Sequence, residues 1–417
     1  MPRRQGYALL TALAAGTAAL AAALAFSTSL IAGERRAPLP GPEAHAAARN
    51  PAAPANSTGT WVATWTGAPV SGEPDTERGF PGRTIRNIVH TSVGGDAARI
   101  TLSNLFGAAP LVIDEATVNT RPVTFEGLPA VTVAAGRQIV SDPVVVPVAP
   151  DADLVVTLRT PHSSGPVTYH AHALQTSYLA DDRGTWRTDR WRYLTAVDVR
   201  NKTSPGAVVV LGDSLTAGSG STTDANNRWT DVLSDRLQHR YGIANQGIAG
   251  NRLLRDSARE RNGRGGLGGT HRFERDVLSV TGARTVIIAL GINDVQQTPQ
   301  EEDPRRIVAG LRSLTERAHA RGLRVVGTTL TPFQGYATWT PARNDVRLAV
   351  NEQIRAGRIF DAVVDFDRAV RDPYAPNRLL PSYDSGDRLH FNDAGYRTLG
   401  RLVDLATVTG TPKAGTF

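Results

Sequence analysis

The sequence predicts an α/β fold with a doubly wound parallel sheet of five strands, preceded by an all-β region built as a sandwich or jelly roll. Three observations carry this. Between residues 60 and 200 apolar side chains recur with a period of two, the period of a strand with one wet face. After Ser204-Pro205-Gly206, short apolar runs alternate with helical patterns, the order that gives parallel strands with helices on both faces. The chain has 417 residues, 41% hydrophobic and 20% charged, which suffices for two cores and is too apolar for disorder.

In the first half, Ile100 and Leu102 alternate with Arg99, Thr101 and Ser103. Gly94-Gly95-Asp96 separates that run from Thr84–Val93 and reads as a hairpin turn. Further strands are expected at Val131–Val133, Val144–Val148, Leu154–Leu158 and Val167–Leu174. Trp61 and Trp65 are expected on one strand face, where burial in the β core outweighs a role in stacking sugars.

The second half reads as five strands, Ala207–Leu211, Ile243–Asn245, Thr285–Leu290, Arg324–Leu330 and Ala362–Phe366. Helical sequence follows each of the first four. One helix starts at Asp303 as cap with Pro304 in the first turn, carries Ile307, Val308, Leu311 and Leu314 as a stripe, and stops at Gly322. Thr340-Pro341 opens another, with Gly357 as its stop. Sites in such folds lie at the C-terminal ends of the strands.

The domain plan is then an export signal or signal anchor at 1–46, an Ala/Pro-rich linker at 47–59, the β region at 60–200, a catalytic region at 206–408 and a flexible tail at 409–417. Arg3 and Arg4 precede an uncharged Ala/Leu-rich run from Gln5 to Gly33, and Ala44-His45-Ala46 has the small-residue pattern of a cleavage site. The run is longer than a usual signal core and long enough to span a bilayer, so a cleaved signal and a retained anchor both stay open. Either puts the remainder outside the cytoplasm, secreted or held at the cell surface.

Composition excludes several classes. The formal charge is +7, yet the first 59 residues hold five Arg against two Glu, and the rest carries 41 basic and 37 acidic side chains, which gives no argument for nucleic acid. Without cysteine there are no disulfides, thiolate metal sites or cysteine nucleophile. The pair His170-x-His172 could offer two imidazoles to a metal, but no third ligand is apparent nearby and ordinary packing is the expectation. No metal or organic cofactor is expected, and the chain is expected to be a monomer.

The chemistry concentrates in four short segments. Val208–Leu211 runs into Gly212-Asp213-Ser214-Leu215, a buried strand ending in a small-residue turn that should expose the serine hydroxyl and aim backbone N–H groups at an oxyanion. Thr216 breaks the G-x-S-x-G elbow, which disfavours an α/β-hydrolase. A serine nucleophile needs a base and the base an orienting group. Asp387-Arg388-Leu389-His390 offers both in one loop ahead of Asn392, a cap for the final helix. Gly250 follows the second strand and Gly291-Ile292-Asn293-Asp294 the third.

Together these segments resemble the four blocks of the SGNH (GDSL) hydrolase family, in the family's order, over about residues 206–408. The resemblance implies a five-stranded SGNH-type sheet and a serine esterase in which Ser214 attacks, His390 moves the proton and Asp387 orients His390. It implies an oxyanion hole of the Ser214 and Gly250 N–H groups and the Asn293 amide. A glycine admits close backbone approach, and an Asn amide donates without titrating. A β region ahead of such a domain resembles secreted polysaccharide esterases of the family, so a glycan or other small ester is the expected substrate. A lipase or lysophospholipase, an O-acyltransferase, and a carbohydrate-binding or adhesive protein with a residual hydrolase domain are the alternatives. Residues 252–272 mix Arg252, Arg255, Arg259, Arg261, Arg264 and Arg272 with glycines, either a basic loop gripping substrate, led by Arg252 and Arg255, or a solvated insertion.

Overall fold

The computed structural model describes residues 59–257 and 264–410. The expected export segment, the linker up to residue 58 and the tail from 411 lie outside the described residues. A helix Leu405–Thr409 buries Val408 and takes in Thr409, the first residue of the expected tail. Among the described residues no helix is long and apolar enough to cross a membrane.

The N-terminal half is antiparallel. One sheet sets Thr60–Thr66, Leu194–Asn201, Gly95–Ser103 and Val144–Val148 side by side, with Gln138–Val140 added to Gly95–Ser103. The other centres on Arg83–Thr91 and Ala152–Thr160, paired over nine residues. Alternate residues of both, among them Ile85, Val89, Ile100, Leu102, Val156, Leu158 and Val199, meet in one core, as in a sandwich.

Two local expectations fail here for physical reasons. Gly94-Gly95-Asp96 is no hairpin turn, because Arg83–Thr91 and Gly95–Ser103 belong to different sheets. The glycines are there for close approach: a Cβ on Gly94 would sit 2.7 Å from the Val148 carbonyl oxygen and one on Gly95 2.6 Å from that of Arg200. Trp61 and Trp65 do not share a face, since a bulge between Ala63 and Trp65 shifts the pairing and reverses the alternation beyond it. Trp61 is left half-buried under the Arg99 guanidinium, 4.7 Å from its ring centre. Trp65 is buried edge-on to Trp191.

The C-terminal half is the expected parallel sheet. Its strands are Ala207–Gly212, Gly242–Gly247, Ala283–Ala289, Arg324–Thr328 and Ala362–Val364, ordered second, first, third, fourth, fifth. The flanking helices match the sequence signals: Asp303 caps Pro304–His319, and Thr340 caps Pro341–Arg355. Register levels the strand ends that matter, with Gly212 opposite both Gly247 and Ala289. The order of the strands reverses between the first and third, the crevice where such folds place their sites.

The first antiparallel strand lies along the open edge of this sheet. The Ile243 N–H donates to Ser92 Oγ at 2.8 Å, and Thr66 Oγ1 to the Asn245 carbonyl at 3.3 Å. The Ala63 N–H donates to the Thr281 carbonyl at 3.0 Å. The edge strand is thus covered by the β region instead of open to pairing with another chain.

Candidate active site

Ser214 opens a one-turn helix, Ser214–Ala217, directly beyond the first parallel strand. Asp213 caps it, accepting the Leu215 N–H at 2.9 Å. The hydroxyl is not exposed as the turn suggested. Ser214 is 6% exposed, because the 387–390 loop brings His390 over it.

His390 Nε2 lies 2.8 Å from Ser214 Oγ, and Nδ1 lies 2.5 Å from Asp387 Oδ2. The other Asp387 oxygen accepts the backbone N–H of His390 at 2.8 Å and of Leu389 at 3.0 Å. Arg388 takes a left-handed φ of 74°, which lets the loop turn tightly enough for one carboxylate to hold backbone and ring together. Burial alone would raise the Asp387 carboxyl, but the hydrogen bonds from His390 and Leu389 outweigh it and hold the group well below the usual carboxylate range. Asn392 caps the helix Asp393–Leu402 by accepting the Gly395 N–H at 3.0 Å, though Leu405–Thr409 follows it as a further short helix. Tyr336 stands edge-on to His390, ring centres 6.4 Å apart.

Burial pushes Asp213 up to about 7, partly offset by the Leu215 N–H and the charge of His390. Its neighbour in the third block, Asp294, is raised by burial and fully enclosed, and accepts the N–H groups of Leu253 at 2.6 Å and Leu254 at 2.9 Å. Asp294 thereby anchors the loop that carries Gly250.

Gly250 adopts φ = 75°, the left-handed region that favours glycine. Among the described residues neither its N–H nor that of Ser214 has a protein acceptor. The Asn293 side chain is oriented from both ends. Its Oδ1 accepts from Gln296 Nε2 at 2.8 Å and Gln297 Nε2 at 2.9 Å, so its Nδ2 is the donor, with one proton on the Asn251 carbonyl at 2.9 Å and a second to spare. Gln297 Nε2 also donates to the Gly250 carbonyl at 2.8 Å. Neither glutamine stood out in the sequence. Their positions three and four residues after Asn293, on one helical face, were the available signal.

The arginine-rich stretch divides. Arg252 is buried, donates to the Pro299 carbonyl at 2.6 Å and faces Asp294 at 3.9 Å, so it braces the loop and does not reach for substrate. Arg255 is exposed. Arg259 and Arg261 lie outside the described residues. Arg272 is not in a loop at all. It sits fully buried in the helix Gly269–Phe273 and donates to the carbonyls of Gly212 at 2.9 Å and Gln246 at 2.8 Å, to Asn251 Oδ1 at 3.1 Å and to Asp276 at 3.0 Å. It ties the ends of the first two strands to the Gly250 loop, a role that no local pattern announces.

His170 is packed, its Nδ1 on the Ala68 carbonyl at 2.7 Å, and burial pulls it down to about 4. His172 lies beyond the strand end, with a left-handed φ of 55° and Asp189 at 3.7 Å. Among the described residues, Asp151, Asp235 and His239 bring possible ligand atoms within 4.8 Å of one another. None of the three belongs to the Ser214 arrangement.

Residues 210–398 match the model of the GDSL-like lipase/acylhydrolase family. No curated protein matches the sequence. Similar solved structures include a GDSL-like lipase from Bacteroides thetaiotaomicron, 21% identical over 48% of this chain and 87% of that one, with a TM-score of 0.36. They also include a carbohydrate acetylesterase from Sinorhizobium meliloti (18% identity, 46% and 94% covered, TM-score 0.38) and an aryl esterase from M. smegmatis (18%, 47% and 94%, 0.39). With the four blocks gathered at one sheet edge and the family model spanning all of them, this chain carries, over residues 210–398, a carboxylic ester hydrolase domain of the GDSL-like lipase/acylhydrolase family.

Proposed function

We propose that this protein is an exported serine esterase that works through an acyl-enzyme and removes small acyl groups from a glycan or similar ester. The observation that carries the reading is the contact of His390 Nε2 with Ser214 Oγ at 2.8 Å, with Asp387 on the opposite ring nitrogen.

In this reading Ser214 Oγ attacks the ester carbonyl carbon while neutral His390 takes its proton at Nε2. The negative charge that develops on the carbonyl oxygen is met by the Ser214 and Gly250 N–H groups and the spare proton of Asn293 Nδ2. Collapse breaks the ester C–O bond, and His390 returns the proton to the leaving alcohol. Water then attacks the acyl carbonyl carbon while His390 takes its proton, and collapse breaks the bond to Ser214 Oγ as His390 returns that proton to the serine, releasing the acid. Asp387 stays ionised throughout and holds the imidazole in one orientation. Export rests on the N-terminal segment read from the sequence.

The test is hydrolysis of p-nitrophenyl acetate by residues 59–417 and by the Ser214→Ala variant. The proposal expects turnover by the wild type and its loss, by a factor of roughly 10⁴ or more, in a variant with an unchanged circular dichroism spectrum. Turnover by both at similar rates rejects Ser214 as the nucleophile, and turnover by neither rejects the esterase reading.

A further inference from the structure

Beside the oxyanion-hole helix lies an open groove of about 520 Å³, walled by Gln300, Glu301, Glu302, Thr338, Trp339 and Arg343. Two connections fasten it to the catalytic residues. On one side Thr338 Oγ1 donates to Gln296 Oε1 at 3.1 Å, and Gln296 in turn holds Asn293 Oδ1 at 2.8 Å. The Glu301 N–H also donates to the Asp294 carbonyl at 2.7 Å. On the other side the wall is the continuation of the loop that sets Tyr336 against His390, with the Trp339 N–H on the Tyr336 carbonyl at 2.9 Å. The groove therefore begins within a few residues of both the base and the oxyanion-hole amide.

Its lining has a definite chemistry. Trp339 packs against the core of the catalytic domain and contributes the large apolar surface of the wall. Around it stand two carboxylates, one amide and one guanidinium. Arg343 is already committed in part, donating to the Thr338 carbonyl at 2.6 Å and Gln300 at 3.4 Å. Among the described residues, two buried polar atoms of the wall have no hydrogen-bond partner: Trp339 Nε1, and Glu301 Oε2, which faces Arg306 at 3.4 Å. A fatty acyl chain would have to desolvate the Glu302 carboxylate and the Arg343 guanidinium without pairing them, which is costly. An anionic ligand would meet the exposed Glu302 carboxylate, while Arg343 is already turned to Thr338 and Gln300.

Building on the esterase reading above, we propose that this groove is a subsite for an uncharged sugar residue next to the esterified one, with Trp339 as its apolar platform and Glu302 and Gln300 accepting from its hydroxyls. The substrate class is then an acylated neutral oligosaccharide, and the lipase alternative loses its acyl site on this side of the serine.

The experiment compares p-nitrophenyl acetate, an acetylated xylo-oligosaccharide and an acetylated oligogalacturonide as substrates of the wild type, Trp339→Ala and Glu302→Gln. Glu302 is on the exposed rim, so its variant serves if Trp339→Ala fails to fold. The expected result is a KM for the xylo-oligosaccharide raised roughly tenfold by Trp339→Ala, about 1.4 kcal/mol, with a smaller rise for Glu302→Gln and no change in kcat/KM for p-nitrophenyl acetate. The galacturonide should be the poorer substrate of the wild type. Equal effects on the xylo-oligosaccharide and p-nitrophenyl acetate, or none on either, overturn the subsite. So does a wild type that cleaves p-nitrophenyl acetate but not the xylo-oligosaccharide, and in that case the serine esterase reading survives. Failure on every ester overturns both.

Discussion

The guanidinium of Arg272 donates to the carbonyl oxygen of Gly212, two residues before Ser214, at 2.9 Å, although the two are 60 positions apart in sequence. The same side chain holds Gln246 and Asn251 on the neighbouring strand and loop. One buried cation thus sets the spacing between the Ser214 turn and the Gly250 loop. Arg272→Met should lower stability by about 3 kcal/mol, because it leaves buried carbonyls without donors and weakens the pairing of Asp276. Urea unfolding measures this. Arg272→Lys should recover little, since a single ammonium lacks the fork that reaches four acceptors. A loss below about 0.5 kcal/mol for both variants would mean that Arg272 does not bind these elements together.

Asn293→Ala should reduce kcat by roughly 10²–10³ with a much smaller change in KM, the pattern of a donor that acts mainly in the transition state. Gln297→Ala should move kcat in the same direction by a smaller factor, since it aligns Asn293 and Gly250 without touching substrate. Steady-state kinetics on p-nitrophenyl acetate separate these outcomes. A rise in KM at constant kcat for either variant would assign that residue to ground-state binding.

Asp213 supplies a pH signature. Its folded value, pushed up to about 7 by burial, exceeds the ordinary carboxyl value of 3.8. The folded state therefore binds the proton more tightly, and this contribution to stability is complete below about pH 4 and is lost as the pH rises to about 7. Asp213→Asn keeps an acceptor for the Leu215 N–H and does not titrate. Its melting temperature relative to wild type should climb between pH 4 and 7 and level off above. A difference independent of pH would contradict the assignment.

The two halves should not be separable without loss. Residues 206–410 alone would expose the edge strand Gly242–Gly247, whose Ile243 N–H and Asn245 carbonyl find partners in the β region. An open edge of this kind invites pairing between chains. The fragment should aggregate under conditions where 59–410 stays monodisperse, as read by size-exclusion chromatography. A stable, monomeric and active fragment would show that the covering is dispensable.

What the sequence made legible follows from locality. Ser214, Gly250, Asn293 and the Asp387–His390 pair each sit in a short segment at a strand or helix end, so composition, spacing and family resemblance located them without knowledge of the packing. Arg272, Gln296 and Gln297 act through partners in other segments or through helical phase, and nothing in their immediate neighbours marks them. Thr64 illustrates the limit on the β side. Its hydroxyl donates to the Val93 carbonyl at 2.7 Å and accepts the N–H groups of Ser92 and Val93 at 3.1 Å, filling the bulge that turns Trp65 inward. A period-two reading has no access to that contact, nor to which of two sheets a strand joins after Gly94-Gly95.

The central claim, that Ser214 is the activated nucleophile, is tested most directly by covalent trapping. A fluorophosphonate should add one equivalent to the wild type, with fluoride leaving as the Ser214 oxygen bonds to phosphorus. Peptide mass spectrometry should place the adduct on Ser214, with none in Ser214→Ala and labelling slowed by several hundredfold or more in His390→Gln. An adduct on another residue, or equal labelling of wild type and Ser214→Ala, would contradict the account.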